Sequence, residues 1–145
     1  MVDTPTSQGH LMVSRAAPTH GSILVVDDDH SFSRNVYSLL HSMKLDVYRA
    51  RNAQEALDLL AGIEPDVILV DMILPDVSGL SLLRRIRSTH GHQNRPVVMT
   101  SGLVMSGDRK QALLAGADEF LPKPFSISDL ETALAPMLGR SFLWT

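Results

Sequence analysis

Three short apolar runs, each followed at once by polar or acidic residues, constrain this chain more than any other feature. They are Ile23-Leu24-Val25-Val26, Val67-Ile68-Leu69-Val70 and Val97-Val98-Met99. Runs this brief and this continuously apolar predict strands buried on both faces. Between them the apolar period lengthens to that of a helix. Phe32, Val36, Leu39, Leu40 and Met43 form one stripe; Ala53, Ala56, Leu57 and Leu60 form a second; Leu80, Leu83 and Ile86 mark a third. Val47-Tyr48 predicts a second, weaker strand and Phe120-Leu121 a fifth. Ile127, Leu130, Leu134 and Leu138 mark a last helix.

Local signals set the boundaries. Asn52 with Glu55 three residues on predicts a capping box, and Ser126 with Asp129 predicts another. The third helix is expected to start near Ser78. Gly62 is expected to stop the second helix, and Gly116 a short fourth one over Ala112 to Ala115. Five strands alternating with five helices predict an α/β fold: a doubly wound, five-stranded parallel sheet covered on both faces. Right-handed crossovers put every strand's carboxyl end on one edge, where such sheets bind ligands. Residues 1–21, rich in Ser, Thr, Pro, Gly and His, are expected to be a flexible leader. The folded domain is expected over 22–139, with a C-terminal tail over 140–145.

What stands at that edge carries the chemistry. The first strand ends in Asp27-Asp28-Asp29 and the third in Asp71. The fourth ends in Thr100-Ser101-Gly102, and the fifth is followed by Pro122-Lys123-Pro124-Phe125. Converging carboxylates repel: at an effective dielectric of about 20, a pair about 4 Å apart costs about 4 kcal/mol. A divalent cation such as Mg²⁺, held by one or two carboxylates plus waters, reverses that sign and bridges to phosphate. A lysine adds positive charge and a hydroxyl adds a hydrogen-bond donor. Phosphoryl transfer needs mainly positioning and charge neutralisation, and an aspartate can be the nucleophile. Thr100 and Ser101 compete for the hydroxyl role, because neighbouring strand residues point to opposite faces.

Composition excludes other chemistries. With no cysteine, disulfides, thiolate metal sites and thiol catalysis are ruled out. The formal charge of -3 gives no general attraction to nucleic acid, so direct nucleic-acid binding is not expected. No apolar run approaches the ~20 residues of a membrane span and the N-terminus lacks an apolar signal core, so a cytoplasmic location is expected. His90-Gly91-His92 reads as loop rather than metal site. Arg84, Arg85 and Arg87 read as a solvated basic face. Phe142 and Trp144 fit equally well as packing on the last helix or as a partner contact.

Taken together, these segments resemble the response-regulator receiver domain of two-component signalling. The matching stretches are residues 23–29, 66–80, 96–102 and 116–125, and the resemblance runs from Ser22 to Leu138. It implies a flavodoxin-like sheet of order 2-1-3-4-5. It implies Asp71 as phosphoacceptor, with Asp27 and Asp28 as the acidic pair for Mg²⁺. Asp28 is favoured as the direct ligand, and the Ile73 carbonyl is a further one. Lys123 is expected to contact the phosphoryl group, and its bond to Pro124 to be cis. The family pattern places Ser or Thr just before a small residue, which selects Ser101 over Thr100. The switch aromatic falls on Phe120, which has no hydroxyl. The implied phosphodonor is a histidine kinase or histidine phosphotransfer protein. The implied output surface is the fourth helix, fifth strand and fifth helix, and homodimerisation on phosphorylation is compatible with it. The chain would catalyse only its own phosphorylation and dephosphorylation.

Two other readings are weighed. A haloacid-dehalogenase-like phosphatase would use Asp27 and Asp29, but expects a further acidic strand after the lysine. A degenerate receiver would bind partners without phosphate, against which the complete set of acids, acceptor and lysine argues. One expectation concerns lifetime. The positions two residues beyond the acceptor and beyond the hydroxyl residue, which in the family help aim the hydrolytic water, are the apolar Ile73 and Leu103. Self-dephosphorylation in Mg²⁺ buffer is therefore expected to be slow; a half-life of seconds, followed by intact mass, contradicts it.

Overall fold

Side-chain alternation along the central strands divides the core into two apolar layers. The computed structural model describes residues 21–102 and 107–138. The elements are β1 (Ser22–Val26), α1 (His30–Ser42), β2 (Asp46–Ala50), α2 (Ala53–Leu60), β3 (Val67–Asp71), α3 (Gly79–Arg87), β4 (Val97–Ser101), α4 (Asp108–Leu114), β5 (Glu119–Pro122) and α5 (Ile127–Leu138). The strands are all parallel, in the order β2-β1-β3-β4-β5. Leu24, Val26, Ile68, Val70, Met99 and Phe120 face α2, α3 and α4. Ile23, Val25, Leu69, Val98 and Leu121 face α1 and α5, against Val36, Leu40, Leu130 and Leu134. Each such side chain contributes about 1.5–3 kcal/mol on burial. That outweighs any single helix cap, so layer packing decides the topology. Leu103, Phe142, Trp144 and the first twenty residues lie outside the described residues.

The caps refine the expected boundaries. The Asn52 side chain accepts from the Glu55 N–H at 2.8 Å. The Glu55 carboxylate, however, accepts from the N–H of Arg51 rather than of Asn52, so the box closes one residue early. That bond and the Arg51 guanidinium hold Glu55 below the usual carboxylate range. Ser126 and Asp129 form a fully reciprocal box. Gly116 ends α4 in the left-handed region (φ 109°), with Ala117 N–H on the Ala112 carbonyl and Gly116 N–H on that of Leu113. Gly62 is not a left-handed stop. The residue that plays that role at the end of α1 is Lys44 (φ 65°), whose neighbour Leu45 donates back to Leu40.

One surface expectation is corrected and one is sharpened. Arg87 is not part of a solvated face. Its guanidinium donates to the carbonyls of Gly116 and Arg95 and pairs with Asp118 at 3.1 Å, which fastens α3 to the segment before β5. His92 lies in a loop, as expected, and is buried there. Its Nδ1 accepts from Arg95 Nε at 3.0 Å, so Nε2 carries the proton and donates to the Leu60 carbonyl at 2.8 Å. A polar side chain is buried at low cost when every such atom is bonded, and these are.

Candidate functional site at the strand carboxyl edge

The acidic triplet after β1 divides its labour. Asp27 continues the strand's alternation and points to the α1/α5 side, where its side chain is 1% exposed. Asp28 is exposed at the rim. Asp29 turns back to cap α1, accepting from the Phe32 N–H at 3.1 Å. Asp71, the last residue of β3, is buried on the same side as Asp27.

Lys123 ties the two buried acids together. Its Nζ donates to Asp27 Oδ2 and to Asp71 Oδ2, each at 2.8 Å. The remaining oxygens accept from main-chain N–H groups: Asp27 Oδ1 from Asp29 at 2.8 Å, and Asp71 Oδ1 from Ile73 at 2.9 Å. Burial pushes the Asp27 carboxyl up, and the lysine and the Asp29 N–H only partly offset it. Burial also opposes the charge on Lys123, but its two carboxylate partners outweigh it and hold the ammonium above its usual range. The Lys123 Nζ further lies 3.8 Å from the centre of the Phe32 ring, which meets Phe125 edge-on at 5.6 Å. Phe32 reads in sequence as a core residue; only its place in the first turn after the acidic run hints at this contact. The Lys123–Pro124 bond is cis.

Ile73 and Ser101 also reach this edge, whereas Phe120 lies further down β5, paired with Met99. Ile73 is 54% exposed, in the loop that follows Asp71. Ser101 is buried at the end of β4, and its carbonyl accepts from the Lys123 N–H at 2.9 Å. Phe120 is buried in the opposite layer, with the Arg109 guanidinium 5.7 Å from its ring centre. A groove of about 520 Å³ runs beside it, lined by Arg109, Phe120, Pro122, Thr132, Pro136 and Met137. Leu103 lies outside the described residues.

One positioning residue is illegible in sequence. Asp76, in the loop between β3 and α3, accepts from the N–H groups of Ala53 and Gln54 at 3.0 Å each. It caps α2 from more than twenty residues away, and so anchors the loop that carries Ile73. Desolvation raises its carboxyl, but bonds from Ala53, Gln54 and Val77 together bring it below the usual carboxylate range. A group held below its unfolded value stabilises the fold at neutral pH, and the benefit is lost as pH falls through the folded value. Asp76→Ala is expected to cost about 1 kcal/mol at pH 7, the usual scale for a lost helix cap, and less at pH 3. Urea unfolding at both pH values checks this.

The donor set is all oxygen and suits a hard cation: two buried carboxylates already share one cationic centre. Among the described residues, no group of three or more His, Cys, Asp or Glu side chains is gathered closely enough to hold a metal alone. No helix among the described residues is long and apolar enough to cross a membrane.

A doubly wound parallel sheet of order β2-β1-β3-β4-β5, with buried acids and a lysine meeting at its carboxyl edge, defines the flavodoxin-like class of α/β domains. Residues 23–135 match the model of the response regulator receiver domain, and the chain belongs to that family. This removes the dehalogenase-like reading. The chain is 36% identical over 129 residues to the transcriptional regulatory protein TrcR of Mycobacterium tuberculosis, covering 89% of this chain and 49% of that protein. It spans about half the length of the curated relatives it matches. The Francisella response regulator 1452 receiver domain superposes with a TM-score of 0.75 at 30% identity, covering 83% of this chain and 98% of that one. The receiver domain of the sensor histidine kinase PA1611 from Pseudomonas aeruginosa PAO1 gives 0.76 at 28%, covering 82% and 98%. That structure has a magnesium ion coordinated in its active-site cleft.

Proposed function

We propose that this receiver domain is a phosphorylation switch in which Asp71 accepts a phosphoryl group from the phosphohistidine of a histidine kinase or phosphotransfer protein. The observation that carries the reading is the Lys123 ammonium shared at 2.8 Å between Asp27 and Asp71. Chain segments far apart in sequence meet there around one positive charge. Asp27, Asp28, Asp71 and the Ile73 carbonyl would hold Mg²⁺. When bound, the ion neutralises charge developing on the phosphoryl oxygens.

An Asp71 carboxylate oxygen attacks phosphorus, the phosphorus–nitrogen bond of the donor breaks, and its imidazole leaves with that electron pair. The product is an acyl phosphate carrying about -1.5 to -2 charges at neutral pH. Lys123 exchanges a carboxylate oxygen for a phosphoryl oxygen, and Ser101 is drawn toward the same group. Phe120 shares the layer opposite Asp71 with Met99 and follows the movement of β4 at Ser101. Because Phe120 has no hydroxyl, the response is one of packing. It is read out at the groove along β5 and α5, where an output partner or a second copy would dock. The switch can shift only by the difference in contacts between its two states.

The test is incubation with acetyl phosphate and Mg²⁺, followed by intact mass. Wild type is expected to gain the mass of one phosphoryl group and Asp71→Asn none. Equal labelling of both, or of neither, overturns the reading; no labelling of either, with partner binding intact, favours a phosphate-independent receiver.

A further inference from the structure

The hydroxyl that shares a face with Asp71 is Thr100, not Ser101. Along β3, Leu69 lies in the α1/α5 layer and Val70 in the other, so Asp71 returns to the α1/α5 side. Along β4, Val98 lies in the α1/α5 layer and Met99 in the other, so Thr100 also returns to it. The strand register sets Thr100 directly beside Asp71. Leu121 lies on that same side of β5, and Lys123 follows two residues later. Asp27, Asp71, Thr100 and Lys123 thus form one group, whereas Ser101 shares the opposite layer with Phe120.

Thr100 is 1% exposed, and its Oγ1 has no hydrogen-bond partner. A buried hydroxyl left unpaired is destabilising, and a valine of the same shape would be free of that penalty. In the unmodified domain, Asp71 already accepts from Ile73 and Lys123 on its two oxygens. Phosphoryl transfer changes this balance. It adds three strong acceptor oxygens and draws the Lys123 ammonium toward them. The Asp71 oxygen the lysine leaves loses that N–H donor, and it lies one strand away from an unpaired hydroxyl.

We propose that Thr100 is a positioning residue of the phosphorylated state, donating its hydroxyl to the Asp71 acyl group when Lys123 turns to the phosphoryl oxygens. Ser101, on the Phe120 side of β4, answers to the phosphoryl oxygens at the strand end, and Thr100, on the Asp71 side, answers to the acyl group. This rests on Asp71 being the phosphoacceptor.

The experiment compares wild type, Thr100→Val and Thr100→Ser, using beryllium fluoride with Mg²⁺ as the phosphoryl probe. Thermal melts report the stability of the unmodified domain, and titration monitored by NMR reports affinity for the probe. Thr100→Val is expected to raise the melting temperature of the unmodified domain while weakening the probe by about tenfold or more, the scale of one hydrogen bond at a charged site. Thr100→Ser is expected to bind within about threefold of wild type, since it keeps the donor. A purely structural threonine would not move the two readouts in opposite directions. If Thr100→Val binds the probe as wild type does, the inference fails alone. If wild type binds no probe and takes no phosphoryl group, the phosphoacceptor reading fails and the inference falls with it.

Discussion

Lys123→Met is expected to destabilise the metal-free domain by about 3 kcal/mol at pH 7, the scale of a buried ion pair broken by removing one partner. The lysine side chain is 14% exposed and its partners Asp27 and Asp71 are 1% and 10% exposed, so solvent does little to screen the change. Methionine keeps most of the stem and removes the charge, including the ammonium that lies over the Phe32 ring. Two buried carboxylates are then left facing each other across the former ammonium site. The loss is electrostatic, and two conditions should relieve it. Millimolar Mg²⁺ supplies a replacement cation and is expected to stabilise the variant more than wild type. Acid also helps, because burial already holds the Asp27 carboxyl above its ordinary value. A group raised in the fold stabilises below its unfolded value and loses that benefit as pH rises through its folded value. The variant should therefore be closer to wild type at pH 5 than at pH 7. Urea unfolding with chelator, with Mg²⁺ and at the two pH values measures all three effects. A variant that unfolds with wild type in chelator would show that the shared ammonium carries no net stability.

The sheet was legible because its central strands are buried on both faces. Ile23–Val26, Val67–Val70 and Val97–Met99 are continuous apolar runs, and such runs have few alternatives once helical stripes flank them. Parallel crossovers of fixed hand then bring Asp27, Asp71 and Lys123 to one edge, so the meeting of these three side chains was readable before its geometry. The contacts that hold the site were less visible, for physical reasons. Asp76 caps α2 and Arg87 grips the Gly116 carbonyl across spacings that no local pattern encodes. Lys44 adopts a left-handed conformation without being glycine. Chain reversal after α1 imposes it, and nothing in a lysine announces it. Thr100 and Ser101 both end a buried strand, and only the register against β3 and the assignment of layers tell their faces apart.

Gly79 is where that edge tolerates least. It is the first residue of α3, its N–H donates to the Met72 carbonyl at 2.8 Å, and Ser78 caps the helix beside it. A Cβ at this position would fall on the carbonyl oxygen of Asp71 and lie 2.7 Å from the Met72 Cα. All of these are main-chain atoms, so no side chain can swing aside. Either α3 withdraws from the end of β3, or the strand end that presents Asp71 moves. Overpacking a rigid contact typically costs about 1–3 kcal/mol, and Gly79→Ala is placed at the upper end, with a fall in melting temperature of about 10 °C. Labelling by acetyl phosphate should also drop severalfold, because displacing Asp71 by about 1 Å is enough to spoil a near-attack geometry. Two other glycines separate the cause. Gly91 has φ 88° with nothing within 4 Å of its Cβ position, so Gly91→Ala should show only the conformational cost, about 1 kcal/mol, and label normally. Gly62 has neither strain nor crowding, its nearest neighbour being the Leu59 carbonyl at 3.9 Å, so Gly62→Ala should be neutral or slightly stabilising. If Gly79→Ala behaves like Gly91→Ala in both stability and labelling, the junction between β3 and α3 is looser than its contacts imply. The tight seating of Asp71 would then have to come from Lys123 and the Ile73 N–H alone.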